Sequence, residues 1–338
     1  MRPRERVLAA LHHQPVDRPP FFEIWIDALL AELGQPDVVS AHVNLGQDGI
    51  LIPTSLPGLS NAWKEGIDEW GRVWKSGMYT SGVVDTPEDL KRYTMPTAQA
   101  GMFFDPDLSR SIREKYPDHL LFYGSHLGPF MAAYMCMGFE RFFLRMMDDP
   151  KFIHKVIENR TEWTIAMLQE AVRNGAELLV LGEDAAYKKS PMISVKMWRD
   201  FVYPYHHRIV ESVDCPMIFH SDGNILPVLP MIIEAGFCGY HSMEPAANID
   251  LAAVKREYGR DLVLVGNVDV RLLANDDLQA VRDEVDRCMR DGAPRGGYML
   301  ATCNSIFNGL NLAAVNEYFR YEMSLAGVEF APMTGKIG

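Results

Sequence analysis

Long hydrophobic runs are missing from this 338-residue chain. No stretch of roughly 18 consecutive apolar residues occurs, so no membrane-spanning helix is expected. Excess positive charge is missing too: 33 Lys and Arg stand against 45 Asp and Glu, a formal net charge of -12. A field of that sign repels nucleic acid and anionic membranes, so neither is expected as a partner. The five cysteines, Cys136, Cys215, Cys238, Cys288 and Cys303, are odd in number and form no CxxC pair, which argues against a disulfide framework. Neither a G-x-G-x-x-G turn nor a P-loop lysine motif is present, so the phosphate-binding signal of a doubly wound nucleotide-binding sheet is absent. The opening residues, Met1 to Leu8, lack the apolar core of a signal peptide, and a cytoplasmic location is expected.

What is present is the mixture of a globular protein, 48% hydrophobic and 23% charged, without a low-complexity linker or internal repeat to divide it. Residues 1–338 therefore read as a single domain. Apolar runs with strand character recur at Phe21–Ile26, Gly49–Pro53, Leu120–Tyr123, Leu178–Leu181, Met217–Phe219, Gly239–Glu244, Leu262–Val265 and Tyr298–Leu300. Helical patterns lie between them. The clearest runs from Lys151 to Arg173, opened by Asp149-Pro150 and stopped by Gly175. Others are Arg4–Leu11, Asp27–Gly34, Ile225–Glu234 and Asp277–Arg290, with a helix start at Thr86-Pro87. Eight strand–helix units predict a (β/α)8 barrel, an α/β fold of the TIM type. The alternating large and polar residues between Trp63 and Thr80 predict a small hairpin insertion.

Polar residues collect where these strands end: Asp27, Ser125 and His126, Glu183 and Asp184, His220 and Asp222, Glu244, Asn267 and Asp269, Cys303 and Asn304. In a barrel that edge carries the chemistry. A buried parallel strand has no packing use for such groups, and burying them unpaired is costly. Each has a structural alternative. Asp184 or Asp222 would serve as a helix cap, Glu244 would hold a loop, Asn267 and Asp269 would form a turn, and His126 would be a satisfied core histidine. His220, after Pro216-Met217-Ile218-Phe219 and before Ser221-Asp222-Gly223-Asn224, is the strongest functional candidate. Imidazole, carboxylate and thiolate from Glu183, His220 and Cys303 would make a zinc site. Abundant methionine, 19 residues, reads as adaptable core packing, as do Trp70, Trp74, Met131, Met135 and Met137; a docking rim is the alternative for these five.

Several motifs together resemble the uroporphyrinogen decarboxylase superfamily. They are Pro3-Arg4-Glu5-Arg6, Val16-Asp17-Arg18-Pro19-Pro20, Gly128-Pro129-Phe130, Met147-Asp148-Asp149-Pro150, Phe219-His220-Ser221-Asp222-Gly223-Asn224 and Gly266-Asn267-Val268-Asp269. The resemblance implies a (β/α)8 barrel and one of two activities. One branch decarboxylates uroporphyrinogen without a cofactor. The other contains zinc-dependent, cobalamin-linked methyltransferases. The decarboxylase branch carries an Arg-x-x-x-Arg pair where this chain has Phe21 to Asp27, with no arginine. The methyltransferase branch carries His-x-Cys and a distant Cys as zinc ligands. His220 and Cys303 match two of these, and Asp222 stands in the place of the third. The resulting expectation is that Glu183 completes a zinc set with His220 and Cys303, with Asp222 as ligand or support, while Asp184, Glu244 or Asn267 orient substrate. The expected reaction moves a methyl group from a small donor, such as an aryl methyl ether, to the cob(I)alamin of a partner corrinoid protein. The alternatives are a metal-free decarboxylase using Arg72, Lys188 or Lys189, and a non-catalytic tetrapyrrole- or corrinoid-binding barrel.

Overall fold

A computed structural model describes residues 1–26, 30–54, 65–93, 101–125 and 127–328. Asp27, Trp63 and His126 lie outside the described residues. Seven parallel strands form one curled sheet: β1 (Gly49–Leu51), β5 (Leu120–Ser125), β6 (Leu178–Gly182), β7 (Met217–His220), β8 (Gly239–His241), β9 (Val263–Val265) and β10 (Tyr298–Met299), paired in that order. The eighth position is filled by Pro20–Phe22. Phe22 donates its N–H to the Leu300 carbonyl and Leu300 donates to Pro20, while on the other edge Asp48 donates to the Phe21 carbonyl, each at 2.8 Å. The sheet is thereby closed into a (β/α)8 barrel. The first expected strand, Phe21–Ile26, is thus reduced to a bridge at Phe21. The strands are buried on both faces, which is why they read as unbroken apolar runs.

The helices begin where the sequence marks them. Pro150–Arg173 is capped by Asp149, whose carboxylate accepts from Phe152 N–H, and it buries Phe152, Ile153, Val156, Ile157, Met167 and Leu168 on the barrel side. Thr86 and Asp89 form a reciprocal capping box at Pro87–Arg92. Two expectations differ. The part of Asp27–Gly34 that is described, Leu30 to Gly34, consists of turns. Ile225–Glu234 is split into a 3-10 turn at Leu226–Val228 and a helix at Leu229–Glu234, with prolines at 227 and 230 each removing an N–H donor.

The insertion is larger than a hairpin. β2 (Gly66–Ile67), β3 (Arg72–Lys75) and β4 (Met78–Gly82) form a three-stranded antiparallel sheet. Asp68 ties it together, accepting from the backbone N–H groups of Trp70 and Arg72 and from the Arg72 guanidinium and the Trp74 indole. It packs on the helix Pro129–Met137. There Val84 donates to the Cys136 carbonyl and the Tyr79 hydroxyl to that of Met135.

Candidate metal centre at the barrel mouth

β6 and β7 run side by side, with Gly182 in register with His220. Both chains continue past the sheet edge as short polar segments, and this brings Asp184, His220 and Asp222 together. One ligand atom from each lies within 4.8 Å of the others. His220 Nε2 is 3.6 Å from Asp184 Oδ1 and 3.8 Å from Asp222 Oδ1. His220 ends a strand and is buried, whereas the two carboxylates are about one-third exposed and open toward the mouth. His220 and Asp222, two residues apart, share a side.

Neither carboxylate caps the following helix. Asp184 Oδ1 accepts the backbone N–H of Asp222 at 3.0 Å, and Asn224 is the residue that receives Leu226 N–H. Asp222 is held at both oxygens, by Ser242 Oγ at 3.4 Å and by Asn304 Nδ2 at 2.5 Å. Gly223 must be glycine: its φ is +76°, and a Cβ would sit 2.7 Å from the carbonyl oxygens of Ala186 and Tyr187. Glu244 Oε2 accepts Gly223 N–H at 3.1 Å, so Glu244 does hold the turn. Burial, followed by the negative charges of Asp184 and Glu244, raises the Asp222 carboxyl well above the ordinary range, against the help of Asn304 and Ser242. A carboxylate strained in this way by its own neighbours is relieved by a cation. The donor set, one imidazole nitrogen and two carboxylates, suits zinc or a similar divalent ion.

The structure does not bring Glu183 into this group. Alternation along the chain turns its side chain to the opposite face, where it is fully buried. There its carboxylate accepts from His206 Nε2 at 3.0 Å, from Phe130 N–H at 3.3 Å and from Met131 N–H. It thereby holds the start of the Pro129–Met137 helix, where a negative charge is favoured. Gly128 makes room for it, since a Cβ there would lie 2.5 Å from Glu183 Oε2.

Cys303 is buried beside the group rather than within it. Burial raises its thiol pKa strongly, and Asp269, Asp222 and Glu244 add to the shift. Asn267 has both ends of its amide occupied: Nδ2 donates to the Met243 carbonyl at 2.8 Å and Oδ1 accepts from Arg287 at 2.9 Å. Buried in this way, it braces the wall. Asp269 is engaged by Arg271. Ser125 Oγ receives Leu127 N–H at 3.3 Å. Arg72 is buried in the small sheet, paired with Asp68 and stacked on Trp70 and Trp74, so it does not serve a substrate. Lys188 and Lys189 are exposed on the loop after β6. Trp70, Met135 and Met137 are buried, consistent with packing.

Two polar neighbours of the cluster escaped the sequence reading. His241 lies in register with His220 on β8, its Nδ1 2.6 Å from His220 Nδ1 and its Nε2 2.9 Å from the Thr302 carbonyl. Burial, then the adjoining His220, holds its pKa well below that of an ordinary histidine. Glu23, an isolated acid within Phe21-Phe22-Glu23-Ile24-Trp25-Ile26, is buried against Thr302 and Tyr318. A lone acid in an apolar run and a histidine matching the candidate ligand on the next strand were the available signals.

The profile of the Uroporphyrinogen decarboxylase (URO-D) family matches residues 62–321. The chain belongs to the uroporphyrinogen decarboxylase family. Among curated relatives it is 23% identical over 290 residues to the Methylcobamide:CoM methyltransferase MtbA of Methanosarcina acetivorans, covering 79% of this chain and 82% of that protein. It is 25% identical over 213 residues to a Methylated-thiol--coenzyme M methyltransferase of Methanosarcina mazei, covering 62% of this chain and about half, 54%, of that enzyme. A uroporphyrinogen decarboxylase of Shewanella piezotolerans is 20% identical over 72% of this chain and 70% of its own length. The solved structure of a methyltransferase from Methanosarcina mazei superposes with a TM-score of 0.77 at 21% identity, covering 96% of this chain and 99% of that one, which places the fold. Methyltransferases and uroporphyrinogen decarboxylases are thus both represented among the relatives. No helix among the described residues is long and apolar enough to cross a membrane.

Proposed function

We propose that this member of the family is a corrinoid-dependent methyltransferase, a cytoplasmic component that takes a methyl group from a small donor, such as an aryl methyl ether, and passes it to the cob(I)alamin of a separate corrinoid protein. The methyltransferase relatives support the reaction class. The observation that carries the reading is the grouping of Asp184, His220 and Asp222 within 4.8 Å at the barrel mouth. These three would hold zinc, with Cys303 or Glu244 completing a four-ligand set. Zinc bound there would supply Lewis acidity toward the oxygen that leaves when the methyl group is taken. The oxygen-rich set favours an ether donor, because carboxylates give a metal less charge than thiolates do and leave it a stronger acid.

The chain's own groups do the positioning. Asn304 and Ser242 fix the Asp222 carboxylate, Glu244 fixes the turn that carries it, and Asp184 is steadied by the Asp222 N–H. Lys188 and Lys189, together with the exposed Tyr187 and Phe307, are available on loops of this face for the approach of donor and partner. Substrate carboxylates have no arginine on the Phe21–Ile26 segment to meet them, which disfavours the decarboxylase activity.

The test is spectral. With zinc-loaded protein, cob(I)alamin and a methoxylated aromatic, methylcobalamin should form, the signal should vanish after chelation, and added zinc should restore it. Turnover that continues in fully metal-free protein, or no methyl transfer from any ether, would reject the reading.

A further inference from the structure

The two neighbouring imidazoles, His220 and His241, have their ring centroids 4.8 Å apart and their planes at 27°. Their protons can be assigned by elimination. The Thr302 carbonyl only accepts, so His241 Nε2, 2.9 Å away, carries hydrogen. His241 is 2% exposed, and its ring nitrogens meet an imidazole and a carbonyl, neither of them an anion that would hold a second proton, so one ring proton, at Nε2, leaves Nδ1 as an acceptor. The 2.6 Å contact between the two Nδ1 atoms then requires the hydrogen to come from His220. In neutral His220, Nε2 is left as a lone pair facing the oxygens of Asp184 and Asp222 at 3.6 and 3.8 Å. Trp25 fixes the ring further, edge-on at 4.8 Å.

We propose that His241 is a positioning residue that locks His220 in the tautomer whose Nε2 binds a divalent cation between Asp184 and Asp222. The inference rests on the metal reading above. A metal-binding histidine is commonly oriented by a carboxylate or backbone carbonyl at its other nitrogen; here a second, neutral histidine takes that place.

The support continues into the barrel wall. Glu23 Oε1 receives Thr302 N–H at 2.7 Å and the Tyr318 hydroxyl at 2.5 Å. Thr302 Oγ1 lies 2.8 Å from Glu23 Oε2 and 2.5 Å from the Asn304 carbonyl. That carbonyl takes the hydroxyl hydrogen, so the contact to Glu23 is made when Glu23 carries a proton and donates it. Burial raises the Glu23 pKa to about 7, in keeping with this. One buried acid thereby sets both the Thr302 carbonyl that orients His241 and the segment bearing Asn304, which clamps Asp222.

The experiment uses the full chain, labelled with nitrogen-15 at histidine and freed of metal, at pH 8. Imidazole spectra should show His220 protonated at Nδ1 and bare at Nε2, and His241 the other way round. The reverse tautomers would overturn the proposal. In a zinc titration, His241→Phe, which keeps a flat ring but no acceptor, should bind zinc about 10- to 100-fold more weakly, the range for loss of a supporting partner. His241→Gln, able to accept from His220 and donate to Thr302, should recover most of the loss. Equal zinc affinity in His241→Phe and the parent would overturn the positioning role. If the parent itself binds no zinc, the metal reading fails, while the tautomers in the metal-free spectrum still decide the hydrogen-bond assignment.

Discussion

Two polar clusters share the end of β6, one residue apart, and they are built in opposite ways. On the outer side, Glu183 meets three donors, His206 and two helix N–H groups, and every contact is favourable. On the inner side, Asp184 faces Asp222 and Glu244 nearby, and the arrangement raises the Asp222 pKa. The outer cluster is complete with the chain's own atoms. The inner cluster is held together by Asn304, Ser242 and Gly223 against a repulsion that a proton or a bound cation would relieve. Saturation with partners, rather than residue type or burial, separates the carboxylate that builds the barrel from the carboxylates proposed to hold a cation.

The largest effect expected of this contrast is on stability. Glu183→Ala leaves His206 and the helix start without their acceptor in a dry site, and should destabilise folding by roughly 3–5 kcal/mol, the cost of breaking a buried pair. Asp184→Ala removes a repelling charge and should change stability by less than about 1 kcal/mol in denaturant unfolding of metal-free protein. Equal losses in the two variants would erase the distinction.

A second test concerns pH. The Glu23 carboxyl has a pKa of about 7 in the fold against 4.5 outside it, so the native state holds its proton more tightly. Stability from this group is therefore full below pH 4.5, declines as pH rises, and is lost above about 7; a gap of 2.5 units corresponds to up to roughly 3 kcal/mol. Glu23→Gln, whose amide donates to Thr302 Oγ1 as the protonated acid does, should match the parent near pH 4.5 and exceed its stability at pH 8. Urea unfolding across this range checks it. A variant weaker than the parent at pH 8 would mean that the ionised form is the structural one.

Smaller effects should rank the metal-facing residues. His220→Ala should lower zinc affinity by about 100-fold or more, beyond the range for supporting residues, while Cys303→Ala should cost about 10-fold or less. Competition with a chromophoric chelator measures both. A larger loss at Cys303 than at His220 would make the thiol the principal ligand.

The barrel was legible because its strands are buried on both faces and read as plain apolar runs. The inserted sheet announced itself by alternation, but the short Gly66–Ile67 strand carries too few residues to do so. Leu30–Gly34 looked helical and is not, since its apolar spacing is met by turns. In the site, His220 and Asp222 were legible from their place after a strand. Glu183 and Asp184 were not separable as a pair, because a sequence places both at the edge and only the direction of each side chain decides which faces the mouth. His241 was hidden by its strand, which has only Gly239 and Tyr240 beside it, and by the absence of any local sign that β7 and β8 pair in the register that sets two imidazoles together.

The most direct measurement of the central claim is zinc-edge X-ray absorption on protein loaded with one equivalent of zinc, for the parent and for Asp184→Ala. The account predicts stoichiometric zinc with a first shell of nitrogen and oxygen and at most one sulfur, and a first shell altered in the variant. No stoichiometric zinc, a shell dominated by sulfur, or a spectrum unchanged by Asp184→Ala would contradict it.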